Sequence, residues 1–186
     1  MIEAEYKARL SDPEAVRERL RSYGAAEEVS YEDAYFDTTD RALNEADCEL
    51  RLRTVTAVGG EQRHLLTFKD AAVDVSTRSK PEYETHVSDK KAMAEIVARL
   101  GYGPFITFTK QCENFRFNSA GRDILATVVT VPEIDGTFLE IETQAEEDDV
   151  SDALGDLRSV LVELGIAPDE LTTEQYTDAV AKSRGQ

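Results

Sequence analysis

Three Glu-x-Glu pairs, Glu3-Ala4-Glu5, Glu82-Tyr83-Glu84 and Glu140-Ile141-Glu142, constrain this chain more than any other feature. A strand sends alternate side chains to opposite faces, so each pair puts two carboxylates on one face while Ala4, Tyr83 or Ile141 takes the other. Like charges crowded on one strand face repel. A chain that builds this arrangement three times therefore calls for something cationic between the carboxylates, and a divalent metal ion is the first candidate.

Each pair is followed by helix signals. Ser11-Asp12-Pro13-Glu14 opens a helix carrying Val16 and Leu20 and stopping at Gly24, and Ser88-Asp89 opens one carrying Met93, Ile96, Val97 and Leu100 before Gly101. The third follows an acidic lead-in, Glu146 to Asp149, and carries Val150, Leu154, Leu157, Leu161 and Leu164 before Gly165. The first two units align as a pseudo-repeat of site strand and cover helix. Strand-like stretches fill the rest, over 29–36, 48–58, 61–70, 105–117 and 124–131, with Gly59-Gly60 as a tight hairpin turn. Sequential hairpins imply an antiparallel sheet, and strands polar on one face and apolar on the other suit a barrel with a polar lumen and helices packed outside. Residues 71–79 read as a mobile connection near one mouth, and no domain boundary interrupts 1–186.

Strand parity also reveals a basic set. Lys7 continues the face of Glu3 and Glu5, Arg51 and Arg53 alternate with Leu50 and Leu52, Lys69 shares a face with Thr67, Lys80 keeps step with Glu82 and Glu84, and Lys110 shares parity with Arg116. If all these faces line one barrel, six carboxylates (Glu3, Glu5, Glu82, Glu84, Glu140, Glu142) stand against seven cations in the lumen. Such a lumen suits a polyphosphate bound with metal. Arginine offers phosphate a planar fork, lysine a point charge, and the carboxylates hold Mg²⁺ or Mn²⁺ bridging to substrate.

The net charge of −17 argues against nucleic acid as a partner, because a phosphate backbone needs a basic face. Seven Lys beside fourteen Arg and 38 Asp plus Glu resemble the lysine-poor, acidic composition of extreme halophiles. No apolar run reaches the roughly 18 residues of a membrane span, and the start, Met1-Ile2-Glu3, leads straight into a charged strand, so a cytoplasmic protein without a membrane partner is expected. Cys48 and Cys112 read as two reduced, buried thiols in strands. His64 and His86 read as ordinary strand histidines, and Asp37 and Asp40 as turn caps.

The combination Glu3-x-Glu5-x-Lys7, Tyr35-Phe36-Asp37-Thr38 with Leu43, Leu50-Arg51-Leu52-Arg53, Leu66-Thr67-Phe68-Lys69, Lys80-x-Glu82-x-Glu84, Lys110, Gly136-Thr137-Phe138-Leu139-Glu140-Ile141-Glu142 and a late Glu174-Gln175-Tyr176 resembles the CYTH superfamily, the triphosphate tunnel metalloenzymes that include class IV adenylyl cyclases and thiamine triphosphatases. The resemblance implies an α+β fold built on an eight-stranded antiparallel tunnel. It makes Glu3, Glu5 and Glu140 metal ligands assisted by Glu82, Glu84 and Glu142, with Lys7, Lys69 and Lys110 as catalytic cations and Arg51, Arg53, Lys80 and Arg116 as triphosphate-binding residues. The implied substrate is ATP, thiamine triphosphate or tripolyphosphate. The implied reaction is cyclisation of ATP to cyclic AMP and pyrophosphate, or hydrolysis of a triphosphate. The family's frequent dimers also admit a homodimer. Cys112 stands where the family has an arginine, and Ala126 to Thr130 carry no acid where the family has an aspartate, which keeps a triphosphate-binding protein with weakened catalysis as a third expectation.

Overall fold

The computed structural model describes residues 1–185. Its elements run β1 (Ile2–Arg9), α1 (Pro13–Tyr23), β2 (Glu27–Asp37), α2 (Ala42–Glu45), β3 (Glu49–Ala57), β4 (Gln62–Lys69), β5 (Lys80–Val87), α3 (Lys90–Arg99), β6 (Gly103–Ser119), β7 (Arg122–Thr130), β8 (Phe138–Ala145), α4 (Val150–Glu163) and α5 (Tyr176–Ser183). The eight strands close into one barrel in the order β1-β5-β4-β3-β2-β6-β7-β8, every pair antiparallel. Closure removes the unpaired edges that an open sheet would expose. No helix of the described residues is long and apolar enough to cross a membrane.

Alternation dictates which residues are covered. The outward residues of β1 and β8, among them Ala4, Ala8, Leu139 and Ile141, are fully buried in one cluster with Ala153, Leu157 and Leu161 of α4 and Leu164 just past its end. Ala4 and Ala8 leave α4 room to approach the sheet closely. The outward Leu50 and Leu52 of β3 lie with Phe36 beneath Met93 and Val97 of α3. Asp12 and Asp89 cap α1 and α3 by accepting from the amides of Ala15 and Ala92. The turn between β3 and β4 closes at Gly60, whose φ of 82° suits a glycine.

Two expectations change. The apolar stripe expected on α3 is only half used: Val97 is buried and Met93 partly so, whereas Ile96 and Leu100 are 52% and 71% exposed. Met93 and Val97 are four residues apart and share one face, and the other two fall on its flank, beyond the sheet. Cys48 lies just before β3 and is only partly buried, because the strand begins at Glu49; Cys112 is buried in β6, and both thiols are free. Asp37 caps its turn as expected, accepting from the amides of Thr38, Leu43 and Asn44.

Leu157 sits at full burial between α4 and the barrel. Leu157→Ala is expected to lower unfolding stability by about 2–5 kcal/mol through lost contacts and the cavity left behind, with an unchanged m-value in urea titration.

Candidate functional site: a charged tunnel

The inward faces of the strands line a cavity of about 320 Å³ inside the barrel, within the roughly 300–1,000 Å³ typical of small-molecule sites. All thirteen residues singled out from parity line it: Glu3, Glu5, Lys7, Arg51, Arg53, Lys69, Lys80, Glu82, Glu84, Lys110, Arg116, Glu140 and Glu142. The register explains why. Glu5 stands opposite Glu142 and Lys7 opposite Glu140 across β1 and β8, while Lys69 faces Glu82 and Thr67 faces Glu84 across β4 and β5.

The carboxylates are not equivalent. Glu3, Glu5 and Glu142 each bring an oxygen within 4.8 Å of the others. Among the described residues, Lys69 is the one ammonium that pairs with this group. It is bonded to Glu3 and lies 3.1 Å from Glu82 and 3.8 Å from Glu5. Burial alone would raise the Glu3 pKa, but Lys69 outweighs it and holds that carboxyl at about 2. Burial also raises Glu5, and there Lys69 does not suffice against burial and the neighbouring Glu3 and Glu140; the result is about 7. Burial and the charge of Glu3 push Glu142 well above the ordinary range, and burial with Glu3 raises Glu82. Crowded oxygen donors whose charge the protein itself leaves uncompensated fit a hard divalent cation. Glu140, expected among the ligands with Glu3 and Glu5, lines the same cavity outside this cluster and pairs with Lys110 at 3.3 Å. Lys110 and Lys7 overcome its burial and keep its pKa low.

The cations divide in the same way. Lys80 has its ammonium bonded to the Asp47 carbonyl at 2.5 Å, the Asp47 carboxylate at 3.2 Å and Glu49 at 3.0 Å. Arg53 is held by Asp33. Lys7 and Lys110 lie 4.4 and 4.2 Å from the centre of the Tyr176 ring, a cation–π arrangement at both ammoniums. Lys7 makes no ion pair among the described residues, and burial lowers its pKa. Arg51 reaches only Thr67 at 3.4 Å and Glu84 at 3.9 Å, and its buried Nε lacks a partner among the described residues. Arg116 is exposed and lines the mouth opposite Leu125, four residues along β6 from Cys112, or about 13 Å of strand. Cys112 carries no charge into the site, since burial pushes its thiol up to about 12. Within Ala126–Thr130, where the resemblance implies an aspartate, Thr127 lines the lumen and donates its hydroxyl to Asn114.

Several lining residues escape sequence reasoning. Tyr31 and Tyr35 share the inward face of β2 with Asp33, and Glu49 and Arg63 continue the inward faces of β3 and β4. Period-two alternation could have found both: Glu49 is two residues before Arg51, and Arg63 keeps the parity of Thr67 and Lys69. The 71–79 connection does lie at a mouth. There Arg78 bonds Asp47 at 2.6 Å, and the Gln175 amide, turned so that its oxygen faces the guanidinium, reaches Nη2 at 2.6 Å. His64 bonds Thr54 and His86 is exposed.

An eight-stranded antiparallel tunnel lined by crowded carboxylates and by lysines and arginines defines the class of protein. The chain belongs to the CYTH domain family, whose model matches residues 1–176. It is 28% identical over 181 residues, 96% of this chain and 98% of the relative, to a Methanocaldococcus jannaschii protein provisionally named an adenylate cyclase. A Pyrococcus horikoshii structure superposes with a TM-score of 0.84 at 25% identity, covering 98% of this chain and 99% of that one. A Hippeastrum protein, provisionally an adenylyl cyclase and described with a dominant triphosphatase activity, shares the fold at a TM-score of 0.67 and 19% identity, covering 98% of this chain and 96% of that one.

The raised carboxyls set a pH dependence. In the folded state Glu5 holds its proton up to about 7, whereas its ordinary value is 4.5. The folded state therefore binds more protons between these values, and stability falls as pH rises through that window. Without metal, the melting temperature is expected to be lower at pH 8 than at pH 5. Mg²⁺ or Mn²⁺ is expected to raise it more at pH 8, because the cation replaces the proton. In Glu5→Gln both differences shrink; differential scanning fluorimetry reads all three.

Proposed function

We propose that this chain is a metal-dependent enzyme acting on a triphosphate, and that its reaction is that of a class IV adenylyl cyclase: the ribose 3′-oxygen of ATP bonds to the α-phosphorus as the bond to the β-phosphate oxygen breaks, giving cyclic AMP and pyrophosphate. The observation that carries the reading is the division of charge inside one tunnel. Glu3, Glu5 and Glu142 crowd together under-neutralised, while Lys7 and Arg51 face the same lumen without a committed partner within 3.3 Å among the described residues. The three carboxylates would hold Mg²⁺ or Mn²⁺, which when bound neutralises phosphate charge and lowers the pKa of a coordinated hydroxyl or water.

The protein's own groups supply the remainder. Arg51 would offer phosphate oxygens its Nε–H, unpartnered among the described residues, and its Nη1 donors, Nη2 being turned to Thr67 and Glu84. Lys7 and Lys110, fixed against the Tyr176 ring, would stabilise the negative charge that develops on the leaving group, and such preset charges need no reorganisation during reaction. Lys69 keeps Glu3 ionised. Tyr31, Tyr35, Val55, Leu65 and Leu125 give the lining a less polar stretch that suits an organic moiety attached to the phosphates.

Hydrolysis of a triphosphate is the second reading, supported by the activity described for the Hippeastrum protein. It uses the same residues, with water attacking a terminal phosphorus in place of the ribose oxygen. Incubation with ATP, thiamine triphosphate and tripolyphosphate plus Mg²⁺ or Mn²⁺ separates the two. Cyclic AMP with pyrophosphate is expected from the cyclase, and orthophosphate would instead identify the hydrolase. Binding without turnover would fit the weakened site suggested by Cys112 and Thr127. Glu5→Ala is expected to reduce metal-dependent turnover at least about a hundredfold with unchanged circular dichroism; full activity in that variant would remove Glu5 from the metal site.

A further inference from the structure

The two arginines of Leu50-Arg51-Leu52-Arg53 reach the same tunnel in different states. Arg51 is loosely held, as described above. Arg53 is bound side-on by Asp33, with Nε donating to Oδ1 at 2.6 Å and Nη2 to Oδ2 at 2.8 Å, and its guanidinium lies 4.2 Å from the centre of the Tyr31 ring. Asp33 and Arg53 stand directly opposite one another in the β2–β3 register, so the backbone fixes both ends of the pair. Asp33 is 0% exposed. Burial opposes its charge, but Arg53 outweighs burial and holds the carboxyl far below its ordinary range.

A buried pair of this kind is a poor source of stability, because removing two charges from water costs about as much as their attraction returns. Its consequences for the lumen are more definite. Side-on pairing uses Nε–H and one Nη2–H, leaving the Nη1 donors fixed in direction, and the carboxylate cancels the charge of Arg53 for any anion in the tunnel. We infer that Asp33 is a positioning residue that orients Arg53 and offsets its charge, and so sets how tightly the tunnel holds a polyphosphate. The inference rests on the triphosphate reading above. A fully charged Arg53 would hold substrate and the pyrophosphate product alike, and uniform tightening slows release without lowering the chemical barrier.

Calorimetric titration with pyrophosphate and Mg²⁺ tests this across Asp33→Asn, Arg53→Gln and the double variant, which carry one positive charge more, one fewer, and the same lumen charge as the natural chain. Asp33→Asn is expected to bind pyrophosphate about tenfold more tightly, with the gain shrinking as salt rises. Arg53→Gln is expected to bind about tenfold more weakly, and the double variant to lie within about threefold of the natural protein. A merely structural role predicts the opposite sign for Asp33→Asn, since disorder in the wall weakens binding. Equal or weaker binding by a folded Asp33→Asn overturns the inference. Should that variant not fold, the double variant binding no more tightly than Arg53→Gln overturns it equally. Failure of the natural protein to bind either pyrophosphate or tripolyphosphate would bring down the triphosphate reading, and this inference with it.

Discussion

The tunnel depends on one ammonium. Lys69 stands among Glu3, Glu5 and Glu82 and makes it tolerable to place so many carboxylates inside a barrel. A buried charge without a partner costs several kcal/mol, and these carboxylates come from β1 and β5, neighbours that pair through only two residue positions. Lys69 therefore joins the two walls where their backbone pairing is thinnest. Its reach is limited: it holds Glu3 ionised, but Glu5 and Glu142 remain short of positive charge. The fold is thus closed by an ion-pair network that is left incomplete at the place where a cation would sit.

The same thin pairing explains the role of the chain's later segments. Beyond Glu3, the edge of β1 facing β5 is taken over by other groups. The Ser79 hydroxyl accepts from the Glu5 amide, and Thr172 donates its amide to the Lys7 carbonyl. Residues 71–79 and the stretch leading into α5 therefore complete the wall that a longer β1–β5 ladder would have supplied. Arg78 and Gln175 tie these two stretches to one another at the mouth. Tyr176 follows immediately and sets its ring against Lys7 and Lys110.

Much of this was legible in the sequence, for a physical reason. Where one barrel face is charged and the other apolar, as in β1, β3 and β8, period-two alternation is unambiguous, and every residue singled out by it lines the tunnel. The β2 strand is harder to read, because Glu32 and Asp33 are adjacent acids that point to opposite sides. Glu32 meets Lys90 outside the barrel and Asp33 meets Arg53 inside it. Only the pairing register distinguishes them, and register is a long-range property. The partners of Lys80 are hidden in the same way, since Asp47 belongs to a connection with no periodicity. The flank position of Ile96 and Leu100 follows from how far the sheet extends beneath α3, which the helix's own sequence does not encode.

The tunnel lining carries seven carboxylates against nine lysines and arginines, so the whole acidic excess behind the net charge of −17 lies outside that lining. This has a kinetic consequence. A polyanion diffusing toward the barrel meets a repulsive field until it enters the mouth, the reverse of the attractive steering that accelerates many encounters. Added electrolyte screens that field over a few ångströms, so capture of a free anion speeds up as ionic strength rises, while an anion already carrying its divalent counter-ion arrives with less charge to repel.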